Sequence, residues 1–407
     1  MTTIADHIAP IRFGVDQLVA DPSRVGWARR VGLVTNNAAR LAADHTQFGR
    51  HALQRAGVPL VRLFGPEHGL SGHAADGAAV TDGHDAVTDL PVVSLYGTTM
   101  RPSPANVADL DLMLFDIPDV GARFYTYTWT LYHVLLACAD ANVPLVVLDR
   151  PNPLGGVLAD AEGPILDLAF RSFIGEDRIP IRHSLTLGEL ARLWDAERLG
   201  SRTASVVTVD GWQRHLRWPQ LQLPWIETSP SMPSYDSVRW YPATCLFEAT
   251  NLSVGRGTDR PFQMVGAPWL DAPRTCESLA QHGIASSPTL FRPKLPPYAG
   301  EVCRAVELHD APAVSGIVAT GLQLLAVVSR LHRSQFAWHA YKTSANPGGE
   351  NHFERLLGIG DARAAYDAQT DEVTRTRIRS WTDASAWVSR VRSGPPLLYP
   401  EESRQPA

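Results

Sequence analysis

Five short apolar segments in the first 150 residues constrain the fold of this chain more than any other feature. Each is four to seven residues long and is typical of a buried β-strand. They are residues 31–34, 58–64, 92–96, 112–115 and 145–148. Helical patterns lie between them, at residues 44–56, with Asp44 as the expected N-cap, and at residues 123–142. Strands that alternate with helices at this spacing predict a parallel sheet with helices on both faces.

Polar side chains follow four of these strands at the point where each strand ends. They are Asn36 and Asn37, Glu67 and His68, Asp116 and Asp119, and Asp149 and Arg150. The carboxyl ends of parallel strands share one edge of a sheet, and ligands bind outside that edge. We therefore expect these side chains to converge on one cleft. The alternative explanation is that strand ends are polar only because loops are exposed.

The segment at residues 63–69, Leu-Phe-Gly-Pro-Glu-His-Gly, presents a carboxylate and an imidazole directly after the second strand. Gly65 and Pro66 end the strand, and Gly69 closes the turn. A carboxyl group and an imidazole held in this way are candidates for proton transfer. A surface loop with an exposed Glu67 and an exposed His68 is the alternative.

Length and charge limit the classes of function. The chain has 407 residues, enough for two domains, and its net charge is −5. This charge does not favour a nucleic acid or an anionic membrane as a partner. The chain begins without a basic segment followed by an apolar one, and no apolar run reaches 18 residues. We therefore expect a cytoplasmic protein without a membrane span.

The sequence lacks the familiar patterns for cofactors and rigid metal sites. No G-x-G-x-x-G follows the first strand, and neither G-x-x-x-x-G-K-[ST] nor G-x-S-x-G occurs, so we expect no cofactor. A metal site is a rival hypothesis, because possible ligands crowd one glycine-rich stretch. They are His68, His73, Asp76, Asp82, His84 and Asp85. No pair of them has a rigid spacing such as H-E-x-x-H, and we expect no metal.

A proline- and serine-rich stretch from residue 223 to about residue 240 predicts a change of domain. Further predicted elements are a helix opened by a capping box of Thr186 and Glu189, strands at residues 204–209 and 302–308, and helices at residues 314–331 and 372–392. We predict a Rossmann-like parallel-sheet domain at residues 1–228 and a smaller α/β domain at residues 229–407.

Carboxyl groups near the cleft suit the hydrolysis of a glycosidic bond, which usually needs two of them across the scissile bond. Glu67 is the strongest candidate for the acid. The possible partners are Asp116, Asp119 and Glu227, although Asp116 could equally be structural. Arg123 has a planar guanidinium that suits a substrate carboxylate, and a salt bridge to Asp119 is the alternative.

Nine segments, spread in order over nearly the whole chain, form a specific pattern. They are residues 14–16, 31–36, 63–69, 94–97, 115–127, 147–153, 171–173, 179–183 and 241–270. Together they resemble the exo-β-N-acetylmuramidases of glycoside hydrolase family 171. The chain departs from that family at Pro118, where glutamine is usual, and at Ser231, where asparagine is usual.

The resemblance implies an enzyme that releases terminal N-acetylmuramic acid from the non-reducing ends of peptidoglycan fragments. The resemblance also implies an active site in the cleft between the two predicted domains, and the family's glutamate falls on Glu67. The implied substrate is a small disaccharide or muropeptide, and we expect its lactyl carboxylate to bind one of Arg123, Arg182 and Arg256. A non-catalytic muropeptide-binding protein and a metal-dependent hydrolase are the alternatives.

The residues expected at the site form two groups. Glu67, His68, Asp116 and Tyr125 are expected to be catalytic. Those expected to bind substrate are Asn36, Asp119, Arg123, Arg182, His183, Glu227, Asn251 and Arg256. Asn251 and Arg256 belong to a polar, glycine-containing segment at residues 247–260 that is typical of a substrate-facing loop.

Overall fold

A seven-stranded sheet forms the centre of the N-terminal part of the chain. The computed structural model describes residues 10–401 except 76, 98–99, 310–315, 344–345 and 368–370. The strands are β1 (Val31–Thr35), β2 (Leu60–Gly65), β3 (Gly83–Asp85), β4 (Leu90–Ser94), β5 (Leu112–Asp116), β6 (Leu145–Leu148) and β7 (Ala204–Val207). Their order across the sheet is β3-β4-β2-β1-β5-β6-β7. All neighbours are parallel except β3 and β4, which confirms the predicted sheet.

Helices cover both faces of this sheet. They are α1 (Gly14–Ala20), α2 (Gly49–Arg55), α3 (Pro104–Val107), α4 (Tyr127–Ala141) and α5 (Leu187–Leu199). On β5, Leu112 and Leu114 pack in the hydrophobic cluster that contains α1 and α2. Met113 and Phe115 pack in the cluster that contains α4 and α5. Because successive side chains of a strand point to opposite faces, a strand buried on both faces is apolar throughout, which made these strands predictable.

The C-terminal part is a smaller α/β unit, as predicted. Its antiparallel sheet has the order β8-β10-β9 and consists of β8 (Met264–Ala267), β9 (Ser286–Phe291) and β10 (Cys303–Leu308). Its helices are α6 (Tyr235–Thr244), α7 (Ala272–Ala280), α8 (Ile317–Leu331), α9 (His352–Leu357), α10 (Ala364–Asp367), α11 (Asp371–Thr382) and α12 (Ser385–Ser393). No helix in the described part of the chain is long and apolar enough to cross a membrane.

Contacts distant in sequence join the two parts. Glu162, from the N-terminal part, accepts hydrogen bonds from the backbone N–H groups of Gly316, Val318 and Ala319 at 2.8–3.1 Å. A buried carboxylate thus caps the first turn of α8. The C-terminal segment then returns to the large sheet, where the Tyr399 hydroxyl donates to Asp149 over 2.8 Å. The predicted boundary between residues 228 and 229 falls in the loop before α6 and stays a prediction.

Several element boundaries differ from the predicted ones. The helix expected at residue 44 begins at Gly49, because the Asp44 carboxylate accepts from the Thr46 backbone N–H and hydroxyl and forms a local turn. The helix expected at residues 123–142 begins at Tyr127, because the Arg123 N–H bonds to another segment, at Ile181. The helix expected at residues 372–392 is two helices, α11 and α12. The sequence pattern also missed β3, α6, α7, β8 and β9. Residues 314–315 lie outside the described residues.

Asp149 ties the edge of the large sheet to α5 and to the C-terminal segment. Its carboxylate accepts from the Thr186 hydroxyl at 2.7 Å, the Gly188 N–H at 2.9 Å and the Tyr399 hydroxyl. Burial raises the pKa of Asp149 from 3.8 to about 6, although these three hydrogen bonds oppose the shift. The folded state therefore holds this proton more tightly than the unfolded state does.

We predict that the Asp149 contribution to the free energy of unfolding is present below about pH 4 and is lost as the pH rises through about 6. The loss should be roughly 2–3 kcal/mol, at 1.36 kcal/mol per pKa unit. Urea unfolding of the wild type and of Asp149→Asn between pH 4 and 7 measures it, and the wild type should lose stability relative to the variant. The exposed Asp236→Asn provides the control. Parallel pH curves for wild type and Asp149→Asn would contradict the prediction.

Candidate active site

A cavity that opens to solvent lies between the loop that follows β2 and the C-terminal part of the chain. We call it the Glu67 cavity. Polar side chains in its lining include Glu67, His68, Thr126, Ser231, Glu248 and Arg256. Both parts of the chain supply this lining, as predicted for a site in the cleft between them.

The loop that carries Glu67 is tightly folded. The Gly69 N–H donates to the Pro66 carbonyl over 2.9 Å, and Gly69 has a φ of +70°, which favours glycine. A Cβ atom on Gly65 would lie 2.9 Å from the Leu70 backbone nitrogen, too close for any other residue. The chain therefore reverses directly after β2, and Glu67 is held at the carboxyl end of the sheet.

The Glu67 carboxylate is buried and fixed at both oxygens. Its Oε2 accepts from the Thr126 hydroxyl at 2.6 Å, and its Oε1 accepts from the Gly77 backbone N–H at 3.0 Å. Its side chain is only 5% exposed although it lines the cavity. A carboxyl group held in this way has one orientation toward a ligand, which proton transfer requires.

The His68 ring also lines the cavity and has a defined tautomer. Its Nδ1 lies 2.7 Å from the Ala74 carbonyl oxygen. Because a carbonyl oxygen only accepts, Nδ1 carries the hydrogen, and Nε2 of the neutral ring is an acceptor. His68 has a φ of +65°, a conformation uncommon for residues other than glycine, and 6% exposure. Neither Glu67 nor His68 is therefore an exposed loop residue.

Glu248 and Arg256 form the polar part of the opposite wall. The Arg256 Nε pairs with Glu248 Oε1, and its Nη1 donates to the Ser231 hydroxyl over 2.9 Å. Sequence reasoning placed Arg256 at the site but missed Glu248, although both lie in the polar segment at residues 247–260. Two carboxyl groups from distant parts of the chain thus line one cavity.

Tyr125 lines the cavity between these walls. Its hydroxyl donates to the Thr228 hydroxyl over 2.8 Å, and its ring packs edge-on against Tyr127 and Tyr241. Burial raises the pKa of Tyr125, so its hydroxyl keeps its proton at neutral pH. The sequence provided no specific reason to select Thr126 or Ser229, which line the same cavity.

The other polar residues at the sheet edge bind each other. Asp116 is completely buried, and its Oδ1 forms an ion pair with Arg150 Nε at 2.7 Å. The structural explanation for Asp116 therefore fits, and it does not line the Glu67 cavity. Asp119 accepts from the Gly121 N–H at 2.9 Å and lies 3.6 Å from Nε2 of the fully buried His183.

Arg123 also lacks the surroundings expected of a residue that binds a substrate carboxylate. Its guanidinium is completely buried and donates to the carbonyls of Pro164, Ile179 and Leu356 at 2.6–3.0 Å. It does not line the Glu67 cavity, and no described carboxylate, Asp119 included, pairs with it. We assign Arg123 a structural role.

Four more predicted ligands lie outside the lining of the Glu67 cavity. Arg182 is buried and donates to the Leu154 carbonyl over 2.7 Å. Asn36 is buried and caps its own turn at Ala38, and Glu227 is exposed. The Asn251 amide bonds to the backbone at residues 335 and 337. Of the eight residues expected to bind substrate, Arg256 lines the cavity.

The stretch considered for a metal is built differently. Asp85 forms a buried ion pair with Arg50 at 2.9 Å, and His84 lies 3.6 Å from the exposed Asp89. Asp76 lies outside the described residues. Within the rest, the described side chains form no group of three His, Cys, Asp or Glu that could hold a metal ion.

Comparisons with known proteins agree over most of the chain. The N-terminal family model of exo-beta-N-acetylmuramidase NamZ matches residues 31–236, and the C-terminal model matches residues 239–393. The peptidoglycan beta-N-acetylmuramidase NamZ of Bacillus subtilis (strain 168) is 37% identical over 376 residues, which cover 90% of each chain. Crystal structures of two DUF1343 family proteins from Bacteroides fragilis NCTC 9343 have TM-scores of 0.82 and 0.72 and identities of 28% and 27%. Each covers 96% of this chain and 99% of the other chain.

We predict that Arg123→Met lowers the free energy of unfolding by about 3 kcal/mol or more, because it removes the one guanidinium that donates to three buried carbonyls. Urea denaturation, monitored by circular dichroism, measures the change. The exposed Arg202→Met is the matched control and should stay within about 0.5 kcal/mol of the wild type. An unchanged denaturation midpoint for Arg123→Met would show that these hydrogen bonds do not hold the fold.

Proposed function

Since this chain belongs to the exo-beta-N-acetylmuramidase NamZ family and is a glycosidase, we propose that Glu67 protonates the glycosidic oxygen when terminal N-acetylmuramic acid is released. The substrate would be a small peptidoglycan fragment, either a disaccharide or a muropeptide. Family membership favours the enzyme over the non-catalytic binding protein considered from the sequence. A cytoplasmic location stays a prediction.

The observation that carries the role of Glu67 is its fixed, buried carboxyl group in a cavity that both parts of the chain line. A sugar alkoxide is a poor leaving group unless it is protonated as the bond breaks, and the donor must lie within about 3 Å of the glycosidic oxygen. Thr126 and Gly77 each hold one oxygen of Glu67, so little reorientation is needed during the reaction. His68 supplies an acceptor nitrogen beside it, which suits a sugar hydroxyl.

Arg256 is the proposed partner of the lactyl carboxylate that distinguishes muramic acid from glucosamine. It is a guanidinium in the lining of the Glu67 cavity, and guanidinium groups bind carboxylates through paired hydrogen bonds. Glu248 orients this guanidinium through their ion pair. Glu248 is therefore proposed as a positioning residue rather than as a group that contacts the reacting atoms.

We predict that Glu67→Gln, which keeps the shape of the side chain and removes the proton, lowers kcat on the natural disaccharide about 10²–10⁴-fold. The loss should be smaller on a nitrophenyl β-N-acetylmuramide, because its leaving group needs little protonation. Steady-state kinetics on both substrates provide the comparison.

Glu277→Gln is the matched control for that comparison, because Glu277 is exposed on α7. Equal losses on both substrates would mean that Glu67 acts as a nucleophile or an electrostatic stabiliser. Near-normal turnover of the disaccharide would remove Glu67 from the mechanism.

Arg256→Ala should raise KM for a nitrophenyl β-N-acetylmuramide about 10- to 100-fold, as expected for the loss of a charge-assisted hydrogen bond. The matching β-N-acetylglucosaminide has no lactyl carboxylate, so its KM should change much less. The exposed Arg202→Ala controls for the loss of a positive charge. If the preference for the muramide survives in Arg256→Ala, another group binds the carboxylate.

A further inference from the structure

A second cavity, also open to solvent, lies outside the same edge of the large sheet. We call it the switch-point cavity. The loops at residues 38–45 after β1, 118–119 after β5 and 150–151 after β6 line it, together with Phe13 and residues from the segment 218–228. The two cavities share no lining residue. Thr228 lines the switch-point cavity, and its neighbour Ser229 lines the Glu67 cavity, so the two cavities meet at adjacent residues of one segment.

The order of the strands places the switch-point cavity where ligands commonly bind in open α/β sheets. From β1 the chain proceeds to β2 and β4 on one side, and from β5 to β6 and β7 on the other. The strand order thus reverses between β1 and β5. In open α/β sheets, ligands bind in the crevice that this reversal leaves outside the carboxyl ends of the strands. Glu67 follows β2, one strand away, so the catalytic proposal does not use this crevice.

Aromatic rings form one side of the switch-point cavity. Trp218 packs edge-on against Trp225, with ring centroids 5.2 Å apart, and lies 6.3 Å from the ring of Phe13. The indole Nε1 of Trp218 is buried and has no hydrogen-bond partner among the residues that the structure describes. Such rings offer flat apolar faces to the body of a ligand and a donor for one acceptor atom.

Arg40 supplies a positive charge that the described protein does not neutralise. Its Nε and Nη1 donate to the carbonyls of Asn37 and Thr46, each at 2.7 Å, and its guanidinium stacks on Phe48 at 3.6 Å. It forms no ion pair with any described carboxylate, whereas the neighbouring Arg150 is paired with Asp116. A partly buried guanidinium that is fixed in place and lacks a counter-ion attracts a carboxylate.

The acidic group in the lining has partners of its own. Asp119 is the one carboxylate among the described lining residues, and it accepts from the Gly121 N–H and the Thr128 hydroxyl. His45, an exposed residue, also belongs to this lining. The cavity therefore combines a cationic end with aromatic and aliphatic walls.

We propose that the switch-point cavity binds a small organic carboxylate with an apolar or ring-shaped body. Its carboxylate lies on Arg40, and its body lies against Trp218 and Trp225. Two parts of a peptidoglycan fragment have this chemistry: the lactyl-substituted sugar ring and the short peptide attached to it. The choice of these probes rests on the proposed function, but binding in this cavity does not depend on Glu67 as an acid.

Isothermal titration calorimetry of the full chain tests the proposal with three probes. They are N-acetylmuramic acid, the dipeptide L-alanyl-D-isoglutamine, and N-acetylglucosamine, which has no carboxylate. We expect one carboxylate probe to bind a site that Arg40→Met weakens about 10- to 100-fold and that Arg256→Ala, in the Glu67 cavity, leaves unchanged. Arg202→Met is the control for charge.

Ala42→Trp provides an independent variant, because it fills the cavity and leaves Arg40 in place. It should abolish the same binding event even if Arg40→Met fails to fold. Binding of N-acetylmuramic acid identifies the sugar as the source of the ligand, and binding of the dipeptide identifies the peptide. The proposal is overturned if the affinity and the stoichiometry of carboxylate binding are the same in the wild type, in Ala42→Trp and in folded Arg40→Met. The cavity would then not be a site for these ligands. The outcome of this binding test does not depend on whether Glu67→Gln loses activity.

Discussion

The buried guanidinium of Arg123 is the contact on which the arrangement of both parts of the chain depends. Burial of a cation costs free energy unless the cation is paired with an anion or donates hydrogen bonds to nearby acceptors. No described carboxylate pairs with Arg123. Instead it donates to carbonyls of three separate segments, at Pro164, Ile179 and Leu356. Burial lowers the pKa of Arg123 to about 9, which leaves it charged at neutral pH.

The sheet could be predicted from local sequence patterns, whereas contacts between distant segments, such as those of Arg123, could not. Strands β1 and β5 are apolar because both of their faces are buried, and such a pattern is local. The partners of Arg123 are 41, 56 and 233 residues away in the chain. From sequence alone an arginine beside two tyrosines suits a substrate carboxylate equally well, since the pattern does not specify where distant carbonyls will lie.

The sequence also predicted that polar residues at the sheet edge converge on one cleft, and only some of them line the Glu67 cavity. Glu67 and His68 line a cavity because Gly65 and Gly69 let the loop after β2 fold back sharply. Asp116 is the last residue of β5 and Asp149 directly follows β6, and their carboxylates bind neighbouring segments instead. Polarity at a strand end indicates the edge of the sheet but not whether a side chain points to a ligand or to another loop.

The docking of the two parts also accounts for cleavage at the end of a sugar chain. Glu67 comes from the N-terminal part, whereas Glu248, Arg256 and Leu356 come from the C-terminal part and form the facing wall. Leu356 accepts from Arg123 through its backbone, so the same contact that joins the two parts fixes one wall of the cavity. A cavity walled from both sides suits a terminal sugar better than a sugar within a polymer, because the polymer has to continue in both directions. The contact that stabilises the fold thus also fixes one wall of the cavity that contains Glu67.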